Sequence, residues 1–296
     1  YLSDDDITWV HETLAGMSTE EKAGQLFCVL LKNNSKETMD YVFNLMNPGG
    51  FMYRIMPTKN AVEATREVVR LSKVYPLIAA NLEKGGNGIV EEGTLVGSPM
   101  EIAATDDETM GANWSFAPII DIDSNFRNPI TNTRTFGSDP ERVARMGLSY
   151  VNTIQKLGMA ACIKHFPGDG QDERDQHLVT SINDLDCETW MNTYGMVYKK
   201  CIDAGALTVM TGHIMQPAWE RAINPDIKDE ELMPGSLSHE LLQGLLRERL
   251  RCHHHGRIHA GDGQRTSSSG DDCKRMRHVP VCKKSGRRLS FHAQGH

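Results

Sequence analysis

Short apolar runs alternate with stretches of helical periodicity along the first 250 residues. Gln25-Leu26-Phe27-Cys28-Val29-Leu30-Leu31 is an apolar run of strand length, bounded by Asn33-Asn34. Phe51-Met52-Tyr53 predicts a second buried strand, behind the Pro48-Gly49-Gly50 that ends the preceding helix. Residues 76–80, 114–120, 159–163 and 207–210 predict four more, the fourth strand closing on Asp121. Helices fill the intervals. Ser18-Thr19-Glu20-Glu21 is a capping-box pattern, in which hydroxyl and carboxylate cap each other's backbone donors. Residues 58–73 carry apolar or small side chains at helical spacing, through Ala61, Val62, Thr65, Val68, Val69 and Ser72. Asp139-Pro140 opens a helix through Val143, Met146, Tyr150 and Ile154, which Gly158 ends, and residues 238–250 predict another. No repeat of solenoid period is visible.

Strands of four to seven residues separated by helices call for a parallel sheet. Asp121, Lys164, His165 and His213 stand just beyond C-terminal strand ends. In a (β/α)8 barrel those ends converge on one mouth, where active sites are built. Six strands are countable where such a barrel needs eight. Residues 100–112 are also too short for a crossover helix, by about twenty residues. The expected fold is therefore α/β, an incomplete (β/α)8 TIM-type barrel lacking strands seven and eight and one crossover helix. Such a barrel would expose apolar faces and open sheet edges.

The charge distribution divides the chain. Residues 251–296 hold ten Lys and Arg against three Asp and Glu, a local charge of +7 within a total of −7. The first 250 residues therefore carry −14, from 22 basic against 36 acidic side chains. An acidic body gives no footprint for nucleic acid. No run approaches the roughly 18 apolar residues of a membrane span, and no signal segment opens the chain. Seven cysteines without close spacing in the body read as reduced thiols, which predicts a cytoplasmic protein. Two regions follow: a barrel domain, 1–250, and an aberrant basic tail, 251–296, expected to be disordered. Cys252 and His253-His254-His255 are metal-ligand types, but adjacent ligands do not face one tetrahedral ion, so no metal is expected.

The densest chemistry is Lys164-His165-Phe166-Pro167-Gly168-Asp169-Gly170, followed by Asp175-Gln176-His177. Lys and His leaving a strand together can donate hydrogen bonds to substrate hydroxyls. A carboxylate beside an imidazole orients it and raises its basicity, which suits acid/base work near neutral pH. On pattern alone, a loop Asp-x-His is more often simply solvated.

These residues resemble glycoside hydrolase family 3. The resemblance extends through Asn113-Trp114-Ser115-Phe116-Ala117-Pro118-Ile119-Ile120-Asp121-Ile122, Arg134-Thr135-Phe136-Gly137-Ser138-Asp139-Pro140 and the opening Ser18 to Leu26. The Asp-x-His loop is similar to that of the β-N-acetylhexosaminidase branch. It implies that His177 is the acid/base and Asp175 its assistant, acting on terminal N-acetylhexosamine by a retaining mechanism without cofactor. Arg134, Lys164 and His165 would bind the sugar, and Asp121 would stabilise the mouth. Glu83, in the looser match Glu83-Lys84-Gly85-Gly86-Asn87-Gly88, is a candidate acidic sugar ligand. His213 is either part of this site or a satisfied strand-end histidine. Two alternatives stay open: a non-catalytic carbohydrate-binding remnant, and a β-glucosidase-type member of the family.

One departure matters for catalysis. The resemblance implies a nucleophilic Asp at the end of strand seven, shortly after residues 238–250. Here Arg251-Cys252-His253-His254-His255-Gly256-Arg257-Ile258-His259 follows, which does not read as a strand. One allowed codon choice for these nine residues, shifted by one base, encodes Gly-Val-Ile-Thr-Thr-Asp-Ala-Ser, a buried strand ending in the missing aspartate. The tail is therefore read as out-of-frame translation, and the chain as inactive. Were it active, Asp169, Asp172 or Glu173 would be the first replacement nucleophiles to test.

Overall fold

In a computed structural model, which describes residues 3–31, 33–83, 86–93, 112–252 and the backbone of residues 257–258, the alternation of the chain becomes one curled sheet. Strands β1 (Cys28–Leu31), β2 (Gly50–Tyr53), β3 (Leu77–Ala80), β4 (Trp114–Ser115) and β5 (Ala160–Phe166) lie side by side in chain order. β6 (Ser181–Ile182) leaves this sheet and pairs with β8 (Ile214–Met215). β7 (Thr208–Thr211) and β9 (Arg257–Ile258) complete the main sheet, in which every neighbouring pair is parallel.

The helices are α1 (Asp4–Ala15), α2 (Thr19–Gly24), α3 (Lys36–Leu45), α4 (Thr58–Leu71) and α5 (Pro140–Lys156). They continue with α6, a helical segment over 187–203 widened to π geometry at Met191–Gly195, then α7 (Pro217–Ile223) and the π-helical α8 (Glu240–Arg249). The capping box forms as expected, with Glu21 N donating to Ser18 Oγ at 3.2 Å and Ser18 N to Glu21 Oε2 at 3.0 Å. None of the helices among the described residues is long and apolar enough to cross a membrane.

The two faces of the sheet carry two cores. Val143, Tyr150, Val151 and Ile154 of α5, with Trp190, Tyr194 and Tyr198 of α6, bury themselves against Ile120, Ile163 and Phe166. On the other face Ala79, Trp114, Phe116, Ala160 and Cys162 form a smaller cluster. There Trp114 Nε1 reaches across to Thr208 Oγ1 at 3.0 Å, so the inside of the curl is filled rather than open.

Three expectations are corrected. The fourth strand covers Trp114–Ser115 rather than residues 114–120, because Pro118 has no amide to donate. The chain still tracks β5, since Ala117 O accepts from Cys162 N and Ile120 N donates to Lys164 O, both at 2.9 Å. The stretch after Leu250 is not strandless either: Arg257 and Ile258 pair with Val209 and Met210, in the seventh position of the sheet. Lastly, α1, α6 and α7 were not expected, nor were the short strands β6 and β8. Of the tail, Arg251 and Cys252 are described as well, Cys252 packing into the main core, whereas residues 100–111 and the remaining tail, including its histidine cluster, lie outside the described residues.

Candidate active site

The candidate sugar-contacting residues gather at the C-terminal ends of the strands. Lys164 and His165 are among the last three residues of β5, Glu83 follows β3 by three residues, Asp121 follows the β4 segment that tracks β5, and Arg134 ends the short helical turn Asn132–Arg134. The loop after β5 is built on glycines. Gly168 and Gly170 have φ of +123° and +105°, in the region glycine alone enters readily. A Cβ on Gly168 would stand 2.2 Å from the Tyr194 ring, and one on Gly170 2.0 Å from Ile122 O. Helix α6 holds this loop from below: Trp190 Nε1 donates to Pro167 O at 2.9 Å and the Tyr194 hydroxyl to Asp169 O at 2.7 Å.

Glu83, Arg134 and Lys164 form one ion cluster. Arg134 Nε and Nη2 donate to the two Glu83 oxygens at 2.9 and 2.8 Å, a bidentate pairing, and Lys164 Nζ donates to Oε1 at 2.6 Å. Lys164 is 3% exposed, so its ammonium depends on Glu83. Burial works to raise the Glu83 carboxyl, but the guanidinium and ammonium outweigh it and hold the group at about 2. Burial likewise acts to lower the Arg134 guanidinium, and the bond to Glu83 more than reverses that, so its pKa is raised.

A second, buried network lies beside this cluster. Asp121 accepts from the His165 amide at 3.0 Å and the Asp169 amide at 2.8 Å, while His165 Nδ1 lies 2.7 Å from its Oδ2. Asp169 takes bonds on both oxygens: Asn128 Nδ2 and the Gly170 amide on Oδ1, each at 2.7 Å, and Gln176 Nε2 on Oδ2 at 2.5 Å. Burial and the neighbouring Asp121 push the Asp169 carboxyl up. These oxygens are occupied by the fold. Asp172 is held by Arg174 and the Ile182 amide, and Glu173 is 60% exposed opposite Arg127.

The Asp175–His177 pair stands on the surface of the same loop. His177 Nδ1 lies 2.8 Å from Asp175 Oδ1, which also accepts the His177 amide at 2.9 Å. These bonds lower the Asp175 carboxyl. The imidazole is 63% exposed, so an incoming molecule can reach it. Thus Glu83, Arg134 and Lys164 come together, as do Asp121 and His165. The exposed pair joins them through Gln176. His213 projects its ring to Ser236 Oγ at 2.8 Å and gives its amide to Gln176 Oε1 at 2.9 Å. Sequence reasoning missed Asn128 and Gln176. The Asn128-Pro129 turn signal was the available clue to the first.

The model described as the glycosyl hydrolase family 3 N terminal domain matches residues 18–264. A "Beta-N-acetylglucosaminidase/beta-glucosidase" of Cellulomonas fimi is 47% identical over 264 residues, covering 84% of this chain and 47% of its own length. Among solved structures, the beta-glucoside phosphorylase BglX bound to 2FGlc superposes with a TM-score of 0.78 at 48% identity, over 84% of this chain and 48% of that one. A family 3 beta-N-acetylglucosaminidase from Paenibacillus sp. str. FPU-7 gives 0.67 at 26% identity, over 81% of this chain and 48% of that one. The chain spans about half the length of these relatives. It belongs to glycosyl hydrolase family 3, matching the N-terminal domain of that family over most of its length.

Proposed function

We propose that the site is the sugar-binding and acid/base half of a retaining β-glycosidase, with terminal β-linked N-acetylhexosamine as its sugar. The observation that carries this reading is the part-buried Glu83–Arg134–Lys164 cluster beside an exposed, carboxylate-oriented His177. Glu83 accepts from sugar hydroxyls, Arg134 and Lys164 donate to them, and Asp121 fixes the His165 ring for the same purpose. With His177 Nδ1 turned to Asp175, Nε2 faces outward to protonate the leaving oxygen as its bond to the anomeric carbon breaks. A carboxylate on the opposite face must then capture that carbon. We place this missing Asp in the alternative reading frame of the tail, and read residues 251–296 as a region apart from the 1–250 barrel domain. The family model runs past that boundary, to residue 264. The chain as it stands holds a sugar without turning it over, needs no metal or organic cofactor, has no nucleic-acid partner and resides in the cytoplasm.

A second reading has its own support. The acid/base is an imidazole rather than a carboxylate, which places less negative charge in the path of an anionic acceptor, and BglX is named a phosphorylase. Phosphate would then replace water in resolving the covalent intermediate, with a β-glucoside as the other substrate candidate. Both readings are tested on a chain carrying the alternative frame and a restored crossover helix. Release of aryl alcohol from N-acetylglucosaminide and glucoside is followed with and without inorganic phosphate. The first reading expects phosphate-independent release, faster from the N-acetyl substrate, and a fall of about a hundredfold or more on His177→Ala. Phosphate-dependent release supports the second, and full activity of His177→Ala overturns both.

A further inference from the structure

The Asp175–His177 pair is exposed, on a loop that carries its own turn, with the Leu178 and Val179 amides both donating to Asp175 O at 3.0 Å. A turn of this kind fixes the local shape of the loop but not where it points. The residue between the pair faces the other way. Gln176 is 5% exposed, and both ends of its amide are bonded: Nε2 to Asp169 Oδ2 at 2.5 Å and Oε1 from the His213 amide at 2.9 Å.

We infer that Gln176 is a positioning residue: its buried amide, clasped between the Asp169 carboxylate and the backbone after β7, aims the Asp175–His177 pair relative to the sugar-binding residues. The inference rests on the acid/base reading of His177 and adds to it the group that places it. Three observations carry it. Asp169 is itself tied to Asp121, which also holds His165, so the clasp ends on the bed of the sugar-binding residues. The clasp needs a donor and an acceptor on one side chain. A Glu would accept from His213 but set a like charge against Asp169, and Lys or Arg could only donate. The third is Gly212. A Cβ there would stand 2.6 Å from Gln176 Oε1, so the backbone after β7 is kept bare where the amide seats.

The test uses the intact chain with nitrogen-15-labelled histidine, the His177 ring signals being those lost in His177→Asn. In the wild-type chain the Nδ1 proton of His177 stays fixed against Asp175, which leaves Nε2 to hold and release the proton that the leaving oxygen takes. In Gln176→Ala, and in Gln176→Met, which keeps the volume and loses both bonds, His177 becomes a mixture of tautomers and its amide exchanges about tenfold faster. The buried His165 signal stays in place in both. Gly212→Ala, which displaces the amide from the opposite side, gives the same change at His177 with the loop sequence intact. An unaltered His177 signature in the variants that retain the His165 signal overturns the inference. Loss of the His165 signal in every variant overturns it too, because Gln176 then supports the core rather than the loop. A wild-type His177 without a fixed tautomer instead contradicts the acid/base reading, a separate outcome.

Discussion

At the scale of single residues, the energetics of the site concentrate on Glu83. Its carboxyl falls from an ordinary 4.5 to about 2 in the folded chain, which corresponds to about 3 kcal/mol of stability. Because the folded value lies below the unfolded one, this stability is present above about pH 4.5 and is lost as the pH falls towards 2. Urea midpoints measured from pH 6 down to pH 2 should therefore drop more steeply for the wild type than for Glu83→Gln. At neutral pH Glu83→Gln should cost about 3 kcal/mol, since it leaves the Lys164 ammonium buried without its carboxylate. Parallel pH curves for the two chains would contradict the cluster's role. Much of the site was legible at this scale. Lys164 and His165 were adjacent at a strand end, and Asp175 and His177 were two positions apart, so a pattern could reveal them. Asn128, Asp169 and Gln176 could not be read together that way. The Asn128–Asp169 bond joins residues 41 positions apart, and such contacts leave no spacing in the sequence.

At the scale of elements, the β5–loop–α6 unit positions the chemistry, and its glycines give the sharpest test. Gly170→Ala meets both a φ of +105° and Ile122 O at 2.0 Å, and Gly168→Ala meets the Tyr194 ring at 2.2 Å. Gly205 has a similar φ of +92°, but a Cβ there would find nothing within 4 Å, so it reports the backbone cost alone. Denaturant unfolding should rank both loop variants at least about 2 kcal/mol below the wild type, and Gly205→Ala only about 1 kcal/mol below. Equal losses at all three positions would show that the close approaches do not matter. The elements of this unit were unevenly legible. Helix α5 was read from Asp139-Pro140 and its apolar stripe, and runs as Pro140–Lys156 with Asp139 Oδ1 accepting from Glu141 N. Helix α6 shows positions 187, 190, 194, 197, 198, 201 and 202 at helical spacing behind its cap Asp186. It escaped notice because β6, the strand before it, has only two residues and gives no apolar run to frame it. Its π turn, and the π geometry of α8, have no local signature in the sequence.

At the scale of the whole molecule, the sheet of the described residues has an open side. β1 begins its strand order, and Leu26 and Phe27 beside it are 81% and 54% exposed among the described residues, with Tyr41 and Leu45 of α3 also exposed. An apolar edge without a partner strand among the described residues favours association with other chains. Sedimentation should show association that grows with concentration, and Leu26→Lys with Phe27→Lys should shift the chain towards monomer. A wild-type chain that stays monomeric at high concentration would contradict this. The parallel barrel architecture itself was legible, because strand and helix periods alternate over 250 residues. The two-residue pairing of β9 was not, since Arg257 and Ile258 make no apolar run. The central claim is that this molecule carries the sugar-binding and acid/base half of a family 3 site without the nucleophile that would complete it. Its most direct test is the release of aryl alcohol from an aryl N-acetylglucosaminide by the intact 296-residue chain, measured beside His177→Ala. Release by both proteins at the uncatalysed background rate is the expected result, because losing the nucleophile of a hydrolase costs several powers of ten. Release at an enzyme's rate that disappears in His177→Ala would contradict it, and would mean that another carboxylate of this chain captures the sugar.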